Sequence, residues 1–163
     1  MLYADLASAA LSAPLYEQGA ATDTFDGRAA MITAHATVVL RRLRRTNSPL
    51  ARRIAERLNT LVLDGFDAAY REMGVGDSSI ARKVRKLAEV HYGLGKALIE
   101  ALDAPQSDRF ERVSACIERN AVSEIGKETL LSAYLLHNAA RFDGVSDEEV
   151  VAGKLSWNLP GHD

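Results

Sequence analysis

Seven arginines within seventeen residues (Arg41, Arg42, Arg44, Arg45, Arg52, Arg53 and Arg57) are the groups of this chain best placed to recognise anything. A second basic turn follows at Arg82, Lys83, Arg85 and Lys86. Guanidinium forks and ammonium groups bind carboxylates and phosphates. At an anionic membrane each is worth about 1 kcal/mol, and RNA phosphates attract them through counterion release. From residue 41 to residue 86 there are twelve Arg or Lys against five Asp or Glu, and outside that window eight against seventeen. A net charge of -2 therefore conceals an electrically polar molecule. The bland alternative is a solvated helix end neutralised in cis, with Glu56 serving Arg52 or Arg53 and the acids Asp143, Asp147, Glu148 and Glu149 docking nearby. The second basic turn favours a binding surface, with Arg41, Arg42, Arg44, Arg45, Arg52, Arg53, Arg82, Lys83 and Lys86 as contacts. Arg41, Arg42 and Lys83 are the foremost of these.

Other reactive side chains are sparse. His35, His91 and His137 could converge on a metal or haem, but no i, i+4 histidine pair and no Glu-x-x-His supports such a site. His91 lies on an apolar stripe, where a neutral imidazole with one bonded nitrogen is the ordinary state. Asp64 and Asp67 are spaced like surface ion-pair partners and not like an acid–base pair. A lone cysteine, Cys116, excludes an internal disulfide and a thiolate zinc site. No nucleophile elbow, phosphate-cradling glycine loop or nucleotide fingerprint occurs. No set of stacking aromatics supports sequence-specific RNA reading. Binding without catalysis, cofactor or metal is the expectation. A helical ligand carrier or enzyme with a pocket near His35 and His91 is the rival.

These residues need elements to position them. A chain of 163 residues suits one domain burying roughly 70% of its unfolded surface. Few aromatics and much alanine favour closely packed helices, so an all-α domain of six to eight helices spanning residues 1–163 is expected. Short helices fit residues 2–12 and 14–18, with Pro14 in the first turn of the second. Asp23 or Thr24 caps a helix to about Arg45, whose stripe is Phe25, Ala29, Ile32, Ala36, Val39 and Leu43. Its first half should be buried nearly all round, and its arginine turn should be solvated. Ser48-Pro49 starts a second long helix, which runs to a hard stop at Gly74. Asp77 or Ser78 caps a third, whose stripe includes Ile80, Val84, Leu87, His91, Leu94 and Leu98. Further helices fit residues 108–119 and 127–141, and Ser146-Asp-Glu-Glu149 is a capping box for a last one. Gly93 and Gly95 inside a helix cost about 2 kcal/mol together relative to alanine, to be offset by close helix approach or by a groove of bare backbone. The opening residues make a poor secretory signal, and no apolar run reaches the ~20 residues needed to cross a bilayer. A soluble protein on the cytoplasmic side follows.

Arg71-Glu-Met-Gly-Val-Gly-Asp77, followed by Arg82-Lys-Val-Arg-Lys-Leu-Ala-Glu89 and Tyr92-Gly93, resembles the ubiquinol–cytochrome c chaperone family. Asp23-Thr-Phe-Asp-Gly-Arg28 and Val39-Leu-Arg-Arg-Leu43 match it upstream, and Tyr134, Ala152-Gly-Lys-Leu155 and Trp157 downstream. The family's mitochondrial members help build respiratory complex III by binding newly made cytochrome b, and its bacterial members are mostly this bare domain. The resemblance implies a non-catalytic assembly chaperone for cytochrome b or the cytochrome bc complex, peripheral at the cytoplasmic face of the inner membrane. A general module for ribosomes, RNA or anionic lipid is the alternative. The motif residues Asp23, Gly27, Arg28, Gly74, Gly76, Asp77 and Gly93 are expected to be structural. The family pattern has an aromatic where His91 stands and an arginine where Leu94 stands, departures on a helix face expected to meet the partner.

Overall fold

The polar turn residues of this chain partition it into eight helices, with no strand, in the computed structural model, which describes residues 1–160. They are α1 (Leu2–Ala10), α2 (Ala13–Glu17), α3 (Phe25–Arg45), α4 (Pro49–Glu72), α5 (Asp77–Leu102), α6 (Gln106–Arg119), α7 (Glu128–Asp143) and α8 (Asp147–Val151). The all-α expectation holds, and most boundaries fall within two residues of those expected. The Thr24 hydroxyl accepts the Gly27 N–H at 3.0 Å to open α3, and the Ser48 hydroxyl accepts the Leu50 N–H at 3.2 Å beside Pro49 to open α4. Gly27 has a steric reason, because a Cβ there would collide with the Thr22 carbonyl oxygen.

Three corrections concern helix starts and burial. Gly76, not Asp77 or Ser78, stands in the N-cap position of α5. Asp77 is the first residue of that helix, where its charge suits the dipole, and its carboxylate takes Arg71 at 2.8 Å. The helix α6 starts at Gln106, behind Pro105, without a side-chain cap. The third correction is the most consequential. Burial of α3 is continuous from Thr33 to Leu43, so its second half, arginines included, is the centre of the molecule.

Neighbours explain that burial: α1, α4, α5, α7 and α8 all pack on α3. Contacts of Thr33 with His91, Thr37 with Gly95 and Arg41 with Asp103 show α5 running parallel to α3, with α4 as the antiparallel return between them. The core is one cluster from Leu6 and Leu15 through α3 to Leu135, Phe142 and Leu155. After α8 the chain turns at Gly153 and lies along α7. There the Asn138 amide bonds both the N–H and the C=O of Asn158, at 2.8 and 3.2 Å. Trp157 packs on His35 (4.6 Å between ring centres) and edge-on to Phe142 (4.8 Å).

Candidate partner-binding surfaces

The arginines read from the sequence as one basic surface divide into inward and outward groups. Arg41 and Arg42 are 4% and 6% exposed. Arg41 donates from Nε to Asp103 at 2.7 Å and from a terminal nitrogen to both oxygens of Asp143, at 3.0 and 3.1 Å. Arg45, half-exposed above it, reaches the same two carboxylates at 2.7 and 3.0 Å. Arg42 donates to the Phe142 and Val145 carbonyls, to Thr46 and to Asp147. The bond from Arg42 is the main reason the Asp147 carboxyl sits below its ordinary range. The reading of Arg41 and Arg42 as foremost contacts is therefore corrected: their donors tie α3 to the ends of α5, α7 and α8. The docking of Asp143 and Asp147 was legible in the sequence; Asp103 joins because parallel α3 and α5 end at the same level.

Arg44, Arg52, Arg53, Arg57, Arg82, Lys83, Arg85 and Lys86 are exposed and have no carboxylate partner among the described residues. Glu56 does not pair with Arg52 or Arg53 in this set. These cations do not form a single patch. The α3–α4 turn and the α4–α5 corner lie at opposite ends of α4, whose 24 residues span about 36 Å. Arg53 and Arg57 line an apolar groove of about 310 Å³ between α1 and α4.

Two clefts flank α5. The first, about 340 Å³, is bounded by Thr37, Leu40 and Arg44 of α3, Asn59 of α4, and Tyr92, Gly95 and Ile99 of α5, with His91 at its base. Tyr92 stands out at its edge, 54% exposed, with its ring edge-on to His91. A Cβ at Gly95 would approach the Thr37 hydroxyl to 3.3 Å, whereas one at Gly93 would meet nothing. Close helix approach thus accounts for Gly95, whereas nothing steric requires glycine at Gly93. The second cleft, about 480 Å³, lies between Asp26, Tyr70, Arg82, Lys83, Lys86, Leu87 and Val90. At about 100° per residue, Lys83, Lys86 and Val90 occupy one flank of α5, and Tyr92, Gly95 and Ile99 the opposite one. Leu94 faces the core and is 2% exposed, so it contacts no partner in this state.

The histidines do not converge. His91 is 3% exposed, with Nδ1 2.9 Å from the Thr33 hydroxyl and Nε2 3.3 Å from the Asn59 oxygen. Burial holds its pKa down at about 4, so the imidazole is neutral, as expected for a core residue. His35 is sealed elsewhere, under Tyr134 and Trp157. Its Nδ1 lies 2.7 Å from the Met31 carbonyl and must donate, leaving Nε2 to accept from the Tyr134 hydroxyl at 3.0 Å. Burial lowers its pKa to about 4, and desolvation raises that of Tyr134. His137 is on the surface beside Asn158. A pocket shared by His35 and His91 is therefore absent, and among the described residues no three His, Cys, Asp or Glu come together as a metal site. Asn59, Thr33 and Thr37 went unnoticed in the sequence. Polar residues inside an apolar helical stripe were the available signal.

Other motif residues make local contacts. Asp23 and Arg28 pair at 2.9 Å, with the Arg28 guanidinium 5.5 Å from the Tyr16 ring centre. Arg71 bridges Asp67 and Asp77 across the corner, which turns at Gly74 with φ +76°. No helix among the described residues is long and apolar enough to cross a membrane.

No curated protein matches the sequence. The fold is similar to the crystal structure of the Cbp3 homolog from Brucella abortus, with a TM-score of 0.82 and 27% identity, covering 96% of this chain and 86% of that one. Residues 17–157 match the family model of the ubiquinol-cytochrome C chaperone, a span that holds the corner, both clefts and the buried arginines. The chain belongs to the ubiquinol–cytochrome c chaperone family.

Proposed function

We propose that this protein is a non-catalytic assembly chaperone that binds cytochrome b or another subunit of the respiratory cytochrome bc complex during biogenesis, at the cytoplasmic face of the inner membrane. Family membership supplies the process, and the Tyr92 cleft is the observation that carries the mode of action. It is concave and mixed in polarity. It has an exposed aromatic at its lip, and Gly95 keeps its floor free of a side chain. Aromatic side chains in such positions dominate binding energies at interfaces. The unpartnered cations Arg44, Arg52 and Arg53 favour an additional electrostatic approach to anionic lipid or the ribosome.

A photo-crosslinking residue in place of Tyr92, followed by capture from solubilised membranes, tests the reading. Adducts should contain cytochrome b or a bc-complex subunit, and Tyr92→Ala should lower client recovery by about tenfold or more. Adducts confined to unrelated proteins would overturn the client assignment. Recovery unaffected by Tyr92→Ala would move the interface elsewhere.

A further inference from the structure

We propose that the second cleft, at the start of α5, is a docking site for an acidic, apolar-tipped segment of a partner protein. Its floor is apolar: Tyr70 packs against Phe25 with ring centres 4.7 Å apart and planes tilted by 36°, and Leu87 closes the base. Val90 adds an exposed apolar wall, 50% accessible. The rim is cationic. Lys83 holds its ammonium 5.6 Å from the Tyr70 ring centre, and neither Arg82, Lys83 nor Lys86 meets a carboxylate within ion-pair distance.

Shape and charge select the occupant. Three cations and Asp26 give the cleft a net charge of +2 (three minus one), which two carboxylates would match. Arg82 to Lys86 spans only about 6 Å of helix, too short a track for the several phosphate contacts that hold a nucleic-acid backbone. A bilayer is engaged by several protruding apolar side chains beneath a basic face, whereas here Tyr70 and Leu87 are recessed and Val90 alone stands out. A protein segment with one or two large apolar side chains between glutamates or aspartates would fill the cleft and neutralise its rim together.

This concerns the chemistry of a partner and holds whichever protein occupies the Tyr92 cleft, so the crosslinking outcome there leaves it untouched. Fluorescence anisotropy with a short labelled amphipathic peptide, two glutamates flanking a leucine, tests it against three comparators. These are the glutamine version of the peptide, oligouridine of matching length, and phosphatidylglycerol vesicles. The acidic peptide should bind, and the glutamine peptide should not. K83E/K86E, both at exposed positions, should weaken binding by about tenfold or more, whereas R52E/R53E, far along α4, should not. Val90→Ser should also weaken it, through lost apolar contact and with no change of charge. The proposal is overturned if the acidic peptide fails to bind or binds K83E/K86E as it binds the wild type. It is equally overturned if oligouridine or vesicles bind through these lysines and the peptide does not.

Discussion

Neighbouring arginines at the end of α3 have opposite fates because other helices cover α3 as far as Leu43 and leave its last two residues open. Arg41 and Arg42 point among α5, α7 and α8, while Arg44 points at solvent. A run of like residues in a sequence carries no label for which members turn inward; that depends on what else packs on the helix. Reversing all four arginines from 41 to 45 would have been harmless on a solvated face, but here it places negative charge against Asp103, Asp143 and Asp147. Arg41→Glu alone should destabilise the fold by about 3 kcal/mol or more, the order expected when a buried ion pair loses one partner. The partly exposed carboxylates moderate that figure. Arg52→Glu should stay within about 0.5 kcal/mol. Urea unfolding of the two variants checks this, and equal stabilities would mean that the Arg41 cluster contributes nothing net.

At the scale of elements, the α4–α5 corner shows how far local chemistry reaches. Gly74 has φ +76°, and no atom lies near the place a Cβ would take, so its requirement is conformational and not steric. Gly74→Ala should cost about 1–2 kcal/mol and Gly74→Val more. Gly76, at φ −68° and equally open, should lose less on change to alanine, about 0.5–1 kcal/mol through its N-cap position. Thermal unfolding of the three variants decides between this corner and one that tolerates any residue. The stop at Gly74, the Thr24 and Ser48 caps and Pro14 were all legible, because each acts through atoms a few residues away. The start of α6 was not, since Pro105 fixes it without a side-chain cap. Nor was the segment after α8, which is held by Asn138 and Trp157 through contacts with α7 and α3.

Across the whole molecule, the two sealed histidines link stability to pH. Both sit near 4 when folded, against about 6.5 in an unfolded chain, so between those values the unfolded state holds more protons. Stability is therefore complete above about pH 7 and falls as the pH drops through that window, by up to about 3 kcal/mol for each imidazole. Asp147, depressed by Arg42, adds its own loss at lower pH, beginning as the pH falls through the ordinary carboxylate range. Urea midpoints from pH 7 down to 4.5 should fall steeply, and His91→Phe should remove about half of the fall. A flat profile would mean that the histidines are charged in the fold. The neutral state of His91 was legible from its place on the α5 stripe. The separation of the basic residues into two ends was not, because it depends on the direction of α4. The Arg41–Asp143 bond closes a loop of 102 residues, and Arg42–Asp147 one of 105. During synthesis α3, α4 and α5 are all made before these aspartates exist. The centre of the fold thus begins life with Arg42 lacking its carboxylate and with Arg41 sharing Asp103 alone with Arg45. The last quarter of the chain acts as the clasp that neutralises them, so a nascent chain is more strongly cationic along α3 than the finished protein, and a release cut short before α7 leaves that charge permanently on display.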